Sequence, residues 1–264
     1  MTIELLDSIT DATDATVGKI VVSGSHGGLY PAAAASLAGT RAVLFNDAGI
    51  GLEQAGVAGV LALADVGMAA AGVDCNTCRI GSAKDTLERG VISTVNSVAT
   101  SLGITTSMSV ERAVLLMAKA MSPHARLKPH VESRQAVAIG AYGLTVELLD
   151  SASLVNARDT GKIVITGSHG GLIAGDATRA IKAPVRIAVF NDAGLGVDNI
   201  GTSRLPALEA RTIASVTVSC DTARIGDAAS ALETGIISAL NPSAQKMGAA
   251  IDMPLSTWLS ILTR

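Results

Sequence analysis

Short runs that are apolar at nearly every position recur along this chain, each cut off by glycine or by a polar residue. They are "KIVVSG" (19–24) and "KIVITG" (162–167), "RAVLF" (41–45) and "RIAVF" (186–190), then "AAAGVDC" (69–75) and "IASVTVSC" (213–220). Runs this short and this rich in Val, Ile and Ala read as strands buried on both faces. The stretches between them have helical character. "PAAAASLAG" (31–39), with Pro31 suited to a first turn, and "DATRAIKA" (176–183) follow the first strand of each set, and "QAGVAGVLALADVG" (54–67) and "TSRLPALEA" (202–210) follow the second. A closing helix holding Asn96 or Asn241 is expected after the third strand. Strands apolar on both faces that alternate with helices predict an α/β fold, with mainly parallel sheets flanked by helices and right-handed crossovers.

The same pattern is written twice. "TIELLDS" (2–8) returns as "TVELLDS" (145–151) and "VVSGSHGGLY" (21–30) as "VITGSHGGLI" (164–173), both at an offset of 143. "VLFNDAGIG" (43–51) returns as "AVFNDAGLG" (188–196), "CNTCRIG" (75–81) as "CDTARIG" (220–226) and "GVISTVN" (90–96) as "GIISALN" (235–241), now at an offset of 145. Two residues are therefore inserted between His169 and Asp192. A period this long exceeds any solenoid unit. It reads as an internal duplication into two tandem lobes related by a pseudo-twofold axis, with the first α/β repeat at 1–121 and the second at 145–264. The segment 122–144 between them, opening "SPHARLKPHVESRQ" with two prolines and mixed charge, reads as a linker.

Composition narrows the partners. A net charge of −3 without a basic cluster leaves no electrostatic footprint for nucleic acid or for an anionic membrane. No uninterrupted apolar run approaches the roughly 20 residues that span a bilayer; the longest apolar stretch, 56–73, carries Asp65. The opening "MTIELLDSITDAT" is acidic where a signal peptide needs basic residues, and three cysteines in 264 residues form no disulfide framework. Both features suit a cytoplasmic protein. Only 2% of the chain is aromatic, so alanine-rich helices are expected to leave smooth apolar faces, and a homo-oligomer is the expected assembly.

Candidate chemistry lies at the carboxyl ends of the predicted strands, where ligands of open α/β sheets sit. His26 and His169 occupy Ser-His-Gly-Gly turns, in which Ser25, Gly27, Gly28 and Ser168, Gly170, Gly171 can bring backbone amides close to a ligand. Asn46–Asp47 and Asn191–Asp192 end the second strands. Their carboxylates can serve as base or orienter, or can simply bond their own turn. Cys75 and Cys220 end the third strands, where a thiol becomes reactive only with a depressed pKa. Arg79 and Arg224 suit a carboxylate-bearing substrate, and a salt bridge between lobes explains them equally well. No compact metal-ligand spacing is present, and neither a metal nor a cofactor is expected.

Two partial resemblances bear on the activity. The order of a His-Gly turn, a second strand, a Gly-rich helix and an "AAGV" strand looks like the layout of caspase-like domains, although "FNDAG" stands where that family carries its cysteine. "CNT" at 75–77 is similar to one cysteine motif of the cofactor-independent aspartate/glutamate racemases, which implies two pseudosymmetric lobes each supplying a thiol, here Cys75 and Cys220. The favoured expectation is a small-molecule hydrolase acting on an amide- or ester-bearing carboxylate compound through strand-end His, Asp and Cys. A racemase or isomerase using the paired cysteines and a non-catalytic ligand-binding protein are the alternatives. The expected placement brings His26, Asp47 and Arg79 into one cleft, and His169, Asp192 and Arg224 into another.

Overall fold

The computed structural model describes residues 2–139 and 143–262 and contains two mostly parallel sheets flanked by helices. The first sheet is ordered β1 (Ile3–Leu6), β2 (Ile20–His26), β3 (Ala42–Asn46), β4 (Ala69–Val73) and β5 (Ile92–Val95), with only β5 antiparallel to its neighbour. The second contains β6 (Arg134–Ile139), β7 (Leu144–Leu149), β8 (Ile163–His169), β9 (Ile187–Asn191), β10 (Ala214–Val218) and β11 (Ile237–Leu240) in the same spatial order. Its four inner strands are parallel, and its two edge strands are antiparallel to them. The helices of the first lobe are α1 (Leu29–Leu37), α2 (Ala58–Ala62), α3 (Ala83–Arg89), α4 (Ser97–Ser101) and α5 (Val110–Met117). Those of the second are α6 (Arg204–Glu209), α7 (Ala228–Thr234), α8 (Pro242–Lys246) and α9 (Leu255–Ile261). No described helix is long and apolar enough to cross a membrane.

Strand side chains alternate between faces, so each sheet needs two cores. Ile20 and Val22 of β2 pack with Val114 and Met117 of α5, while Val21 between them packs with Ala32 of α1 and Val60 of α2. In the second lobe Ile163 and Ile165 face Leu255 and Trp258 of α9, and Val164 faces Leu208 of α6.

Four features differ from the expected elements. The segments 90–96 and 235–241 add the edge strands β5 and β11, with their β-branched residues, and the closing helices α4 and α8 begin only after them, with Asn96 and Asn241 as N-caps. β1 precedes the first expected strand. β6 turns part of the segment read as a linker into the edge of the second sheet. "DATRAIKA" forms only a short 3-10 turn at Ala177–Arg179 where the first lobe builds α1. The physical reason for that last difference lies across the layer. Gly59 admits α1 so closely that a Cβ there would overlap Gly28 O, and the second lobe has Arg204 at that position.

Asn96 and Asn241 cap short helices and stitch them to the sheet. The Asn241 side-chain oxygen accepts from Ala244 N at 2.9 Å and Ser215 N at 3.0 Å, while its amide donates to Ile213 O at 2.8 Å. Asn241→Ala removes a cap and orphans buried backbone groups, so it is expected to lower the unfolding free energy by about 2–4 kcal/mol. Urea denaturation measures this, and an unchanged midpoint would contradict the account.

Candidate active site

Both histidines sit on irregular strand ends. Pairing of β2 with β3 runs regularly to Val22↔Leu44 and resumes at His26↔Asn46, and pairing of β8 with β9 breaks in the same way between Ile165 and His169. The extra residues bow each strand, the device by which bulges re-aim a side chain. Gly24 and Gly167 allow the bow: a Cβ on Gly24 would lie 2.6 Å from Ser82 N, and one on Gly167 would lie 2.5 Å from Asp227 N. The turn serines have local duties, since Ser25 Oγ accepts from Ile9 N at 3.0 Å and Ser168 Oγ from Ala152 N at 2.9 Å. Gly27 and Gly170 donate to Asn46 O and Asn191 O at 2.9 and 2.8 Å.

The two strand ends face each other, and a single cavity of about 880 Å³ between the sheets is lined by both His26 and His169. Gly28 N donates to His26 Nδ1 at 3.2 Å. The equivalent His169 Nδ1 is buried without a hydrogen-bond partner, and a contact between the ring and the Gly171 backbone opposes the lowering of its pKa. A neutral imidazole that accepts at Nδ1 carries its proton on Nε2. Burial pushes the His26 pKa down to about 4, and burial, then Arg204, then His26 hold His169 well below its ordinary value. Both rings are therefore neutral at neutral pH. Neither Nε2 has a hydrogen-bond partner among the described residues, nor is either sealed from solvent. The cavity wall thus presents the His26 Nε2–H with nothing to donate to, beside the neutral His169 ring.

The aspartates lie elsewhere. Asp47 Oδ1 accepts from Gly49 N and Cys75 N, both at 3.0 Å, and Asp192 Oδ1 accepts from Gly194 N at 3.0 Å and Cys220 N at 2.9 Å. Asn46 and Asn191 clamp the same turns through Ala48 N and Ala193 N, each at 2.9 Å. These bonds hold Ala48–Gly49–Ile50–Gly51 and Ala193–Gly194–Leu195–Gly196 in left-handed conformation, with φ between 50° and 76°. The two turns meet between the lobes. Leu52 N donates to Cys220 O at 2.8 Å, and Val197 N donates to Cys75 O at 2.9 Å.

Neither Cys75 nor Cys220 lines the cavity. Burial pushes both thiols up, Cys220 to about 12, with Asp47 and Asp192 reinforcing the effect, so they stay protonated. Asp47, Asp74 and Cys75 bring ligand atoms within 4.8 Å of one another and are the one described group that could hold a cation; the second lobe has Ser219 in place of Asp74. Arg79 pairs with Asp85 at 3.0 Å and with Asp198 across the interface, and Arg224 pairs with Asp227 at 2.9 Å and with Glu53 at 3.3 Å. Of the two arginines only Arg224 borders the cavity. The histidines therefore come together in one place, while the aspartates and cysteines form the joint between the lobes.

Two residues on the cavity wall carried no sequence expectation. Glu132 belongs to the segment read as a linker, and the neighbouring Ser133 pins that segment down by donating its N–H to Asp150 Oδ2 at 2.7 Å. Burial, reinforced by Asp150 and opposed by Ser151, raises the Glu132 pKa to about 7, and Glu132 in turn helps burial raise that of the cavity-lining Tyr30. Arg204, at the first turn of α6, is 3% exposed. Nothing in the repeat pattern marks Glu132, but Arg204 stands out as an arginine where the first copy has glycine. Comparison with known protein families, curated proteins and solved structures finds no match.

Proposed function

We propose that the cavity between the lobes is the active site of a hydrolase that cleaves an amide or ester bond in a small carboxylate-bearing compound. The observation that carries this reading is the pair of neutral imidazoles lining one cavity, with His26 offering it an unengaged Nε2–H. Preorganised donors of this kind stabilise the oxyanion that forms when a carbonyl is attacked, and a neutral imidazole can polarise a carbonyl in this role. Glu132 supplies the proton-transfer group, because a carboxyl titrating near neutrality is matched to acid–base work at that pH. Its carboxylate takes a proton from water as the hydroxyl oxygen bonds to the carbonyl carbon. The resulting oxyanion accepts from His26 and His169. When it collapses, the carbon–nitrogen or carbon–oxygen bond breaks and Glu132 returns the proton to the departing amine or alcohol. The cavity volume of about 880 Å³ falls in the range of small-molecule sites.

The reading includes descent from a duplicated half with a pseudo-twofold axis through the joint. Reciprocal contacts support it: Leu52 to Cys220 is matched by Val197 to Cys75, and Arg79 to Asp198 by Arg224 to Glu53. Such exchange is the mark of an isologous contact.

The test is incubation with a metabolite mixture in ¹⁸O-labelled water, followed by mass spectrometry. The expected result is a cleaved product with ¹⁸O in its new carboxyl group. A carboxylate base facing neutral donors also suits proton transfer beside a carbonyl, so deuterium exchange without cleavage would replace the hydrolase by an isomerase. Ligand-induced thermal shifts without any turnover would leave a binding protein.

A further inference from the structure

Arg204 is a buried cation that lacks a counter-ion. Its Nε donates to Gly171 O at 3.0 Å and its Nη1 to Ala180 O at 2.6 Å, and the guanidinium lies over the Phe190 ring at 5.0 Å from the centroid. These contacts fix the head group in one orientation. They do not neutralise it: no carboxylate lies within ion-pair distance among the described residues, and Nη2 has no hydrogen-bond partner. Nη2 is not sealed off either, and the residue forms part of the cavity wall. A guanidinium buried to 3% exposure without an opposite charge is costly unless something else supplies that charge. Burial and the nearby Arg179 bring its pKa down to about 10, which still leaves it charged at neutral pH.

The rest of the wall agrees. Arg179 and Lys182 border the same cavity; Arg179 reaches Asp11 only at 3.7 Å, and Lys182 Nζ is engaged by a neutral carbonyl, Ser153 O, at 2.7 Å. All three cations belong to the second lobe. The first lobe has Gly59 in place of Arg204, with α1 packed over it. These cations share the second-lobe side of the cavity with Asp150 and Asp227; Arg204 is the buried one among them and is close enough to His169 to depress its pKa.

We propose that Arg204 is a built anion site that takes the carboxylate of the cavity's ligand and thereby sets a single orientation, with the carboxylate on the second-lobe side and the rest of the molecule toward the paired histidines. A fixed guanidinium with free N–H groups is suited to this role, and charge-assisted bonds to it are strong. The site stands on geometry alone; only its service to catalysis rests on the hydrolase reading above.

The test uses the whole protein labelled with ¹⁵N-arginine. Its Nε resonances are followed by NMR while succinate, inorganic phosphate or chloride is added at matched ionic strength. The expected result is a saturable shift of the Arg204 resonance by succinate, at concentrations where chloride moves nothing. A saturable shift by phosphate alone would overturn the carboxylate assignment, and no saturable shift by either would overturn the site. Arg204→Lys, which keeps the charge but loses the planar fork, is expected to weaken succinate binding about tenfold; unchanged affinity would count against the proposal. If the variant does not fold, the titration of the unaltered protein still decides. Succinate binding without turnover of any metabolite would leave the anion site standing and remove the hydrolase, whereas turnover without succinate binding would do the reverse.

Discussion

Gly194→Ala is expected to remove about 2–5 kcal/mol of stability and to disrupt the cavity, although the residue does not line it. Its backbone is left-handed at φ 76°, which costs a residue with a Cβ roughly 1–2 kcal/mol. The added methyl would also lie 2.7 Å from Gly49 Cα and 3.1 Å from both Gly49 N and Cys75 Sγ. Backbone on the opposite turn cannot rotate away as a side chain can, so the overpacking adds about 1–3 kcal/mol. Gly161→Ala is the control, with φ 73° and nothing within 4 Å of the new methyl. It is expected to show only the conformational cost, about 1 kcal/mol. Equal losses for the two variants in urea denaturation would mean that the joint between the turns is not close-packed.

Glu132→Gln is expected to lower kcat by about 10²–10⁴-fold with the fold intact, since it removes proton transfer and keeps the shape. The sign of the pH dependence follows from the raised pKa. Glu132 acts first as a base and works only ionised, so the rate of the unaltered enzyme should climb as pH rises through about 7. The glutamine variant should lose that climb. His26→Gln and His169→Gln remove one oxyanion donor each and are expected to cost about 10²-fold apiece. A glutamine variant with unchanged kcat and the same climbing limb would exclude Glu132 from the chemistry.

Much of the architecture was legible because buried parallel strands are written without ambiguity. "KIVVSG", "RAVLF" and "RIAVF" are apolar on both faces, and they became inner strands of their sheets. The edges were harder to read. Ile3–Leu6 is only partly buried, and Arg134–Ile139 has an exposed, mixed surface, so neither shows a strong burial pattern. The missing helix in "DATRAIKA" depended on a residue more than twenty positions further along, since Arg204 stands where Gly59 leaves space to α1.

The candidate site divides along the same line. The repeated Ser-His-Gly-Gly turns pointed to His26 and His169, and both reached the cavity. The equally repeated Asn-Asp turns were repeated for architecture: Asp47 and Asp192 spend their carboxylates on their own loops and on the cysteine N–H groups. Repetition alone does not distinguish a ligand contact from a joint between lobes. Glu132 was illegible because its raised pKa comes first from burial, which only the fold creates, and then from Asp150, which is distant from it in sequence.

The paired neutral imidazoles are the centre of this account, and ¹⁵N-histidine NMR across a pH titration reads them directly. His26 and His169 should each appear as the Nε2–H tautomer at neutral pH. A folded-state pKa below the ordinary value means that protons bind only as pH falls well under it. His26 should therefore charge only near pH 4 and His169 well below the ordinary histidine value, and the fold should lose stability as pH falls from about 6.5, where the unfolded-state imidazoles take up protons, toward about 4. If either ring were instead the Nδ1–H tautomer, or titrated at the ordinary histidine value near 6.5, the cavity would lack its two donors and the proposed chemistry would be wrong.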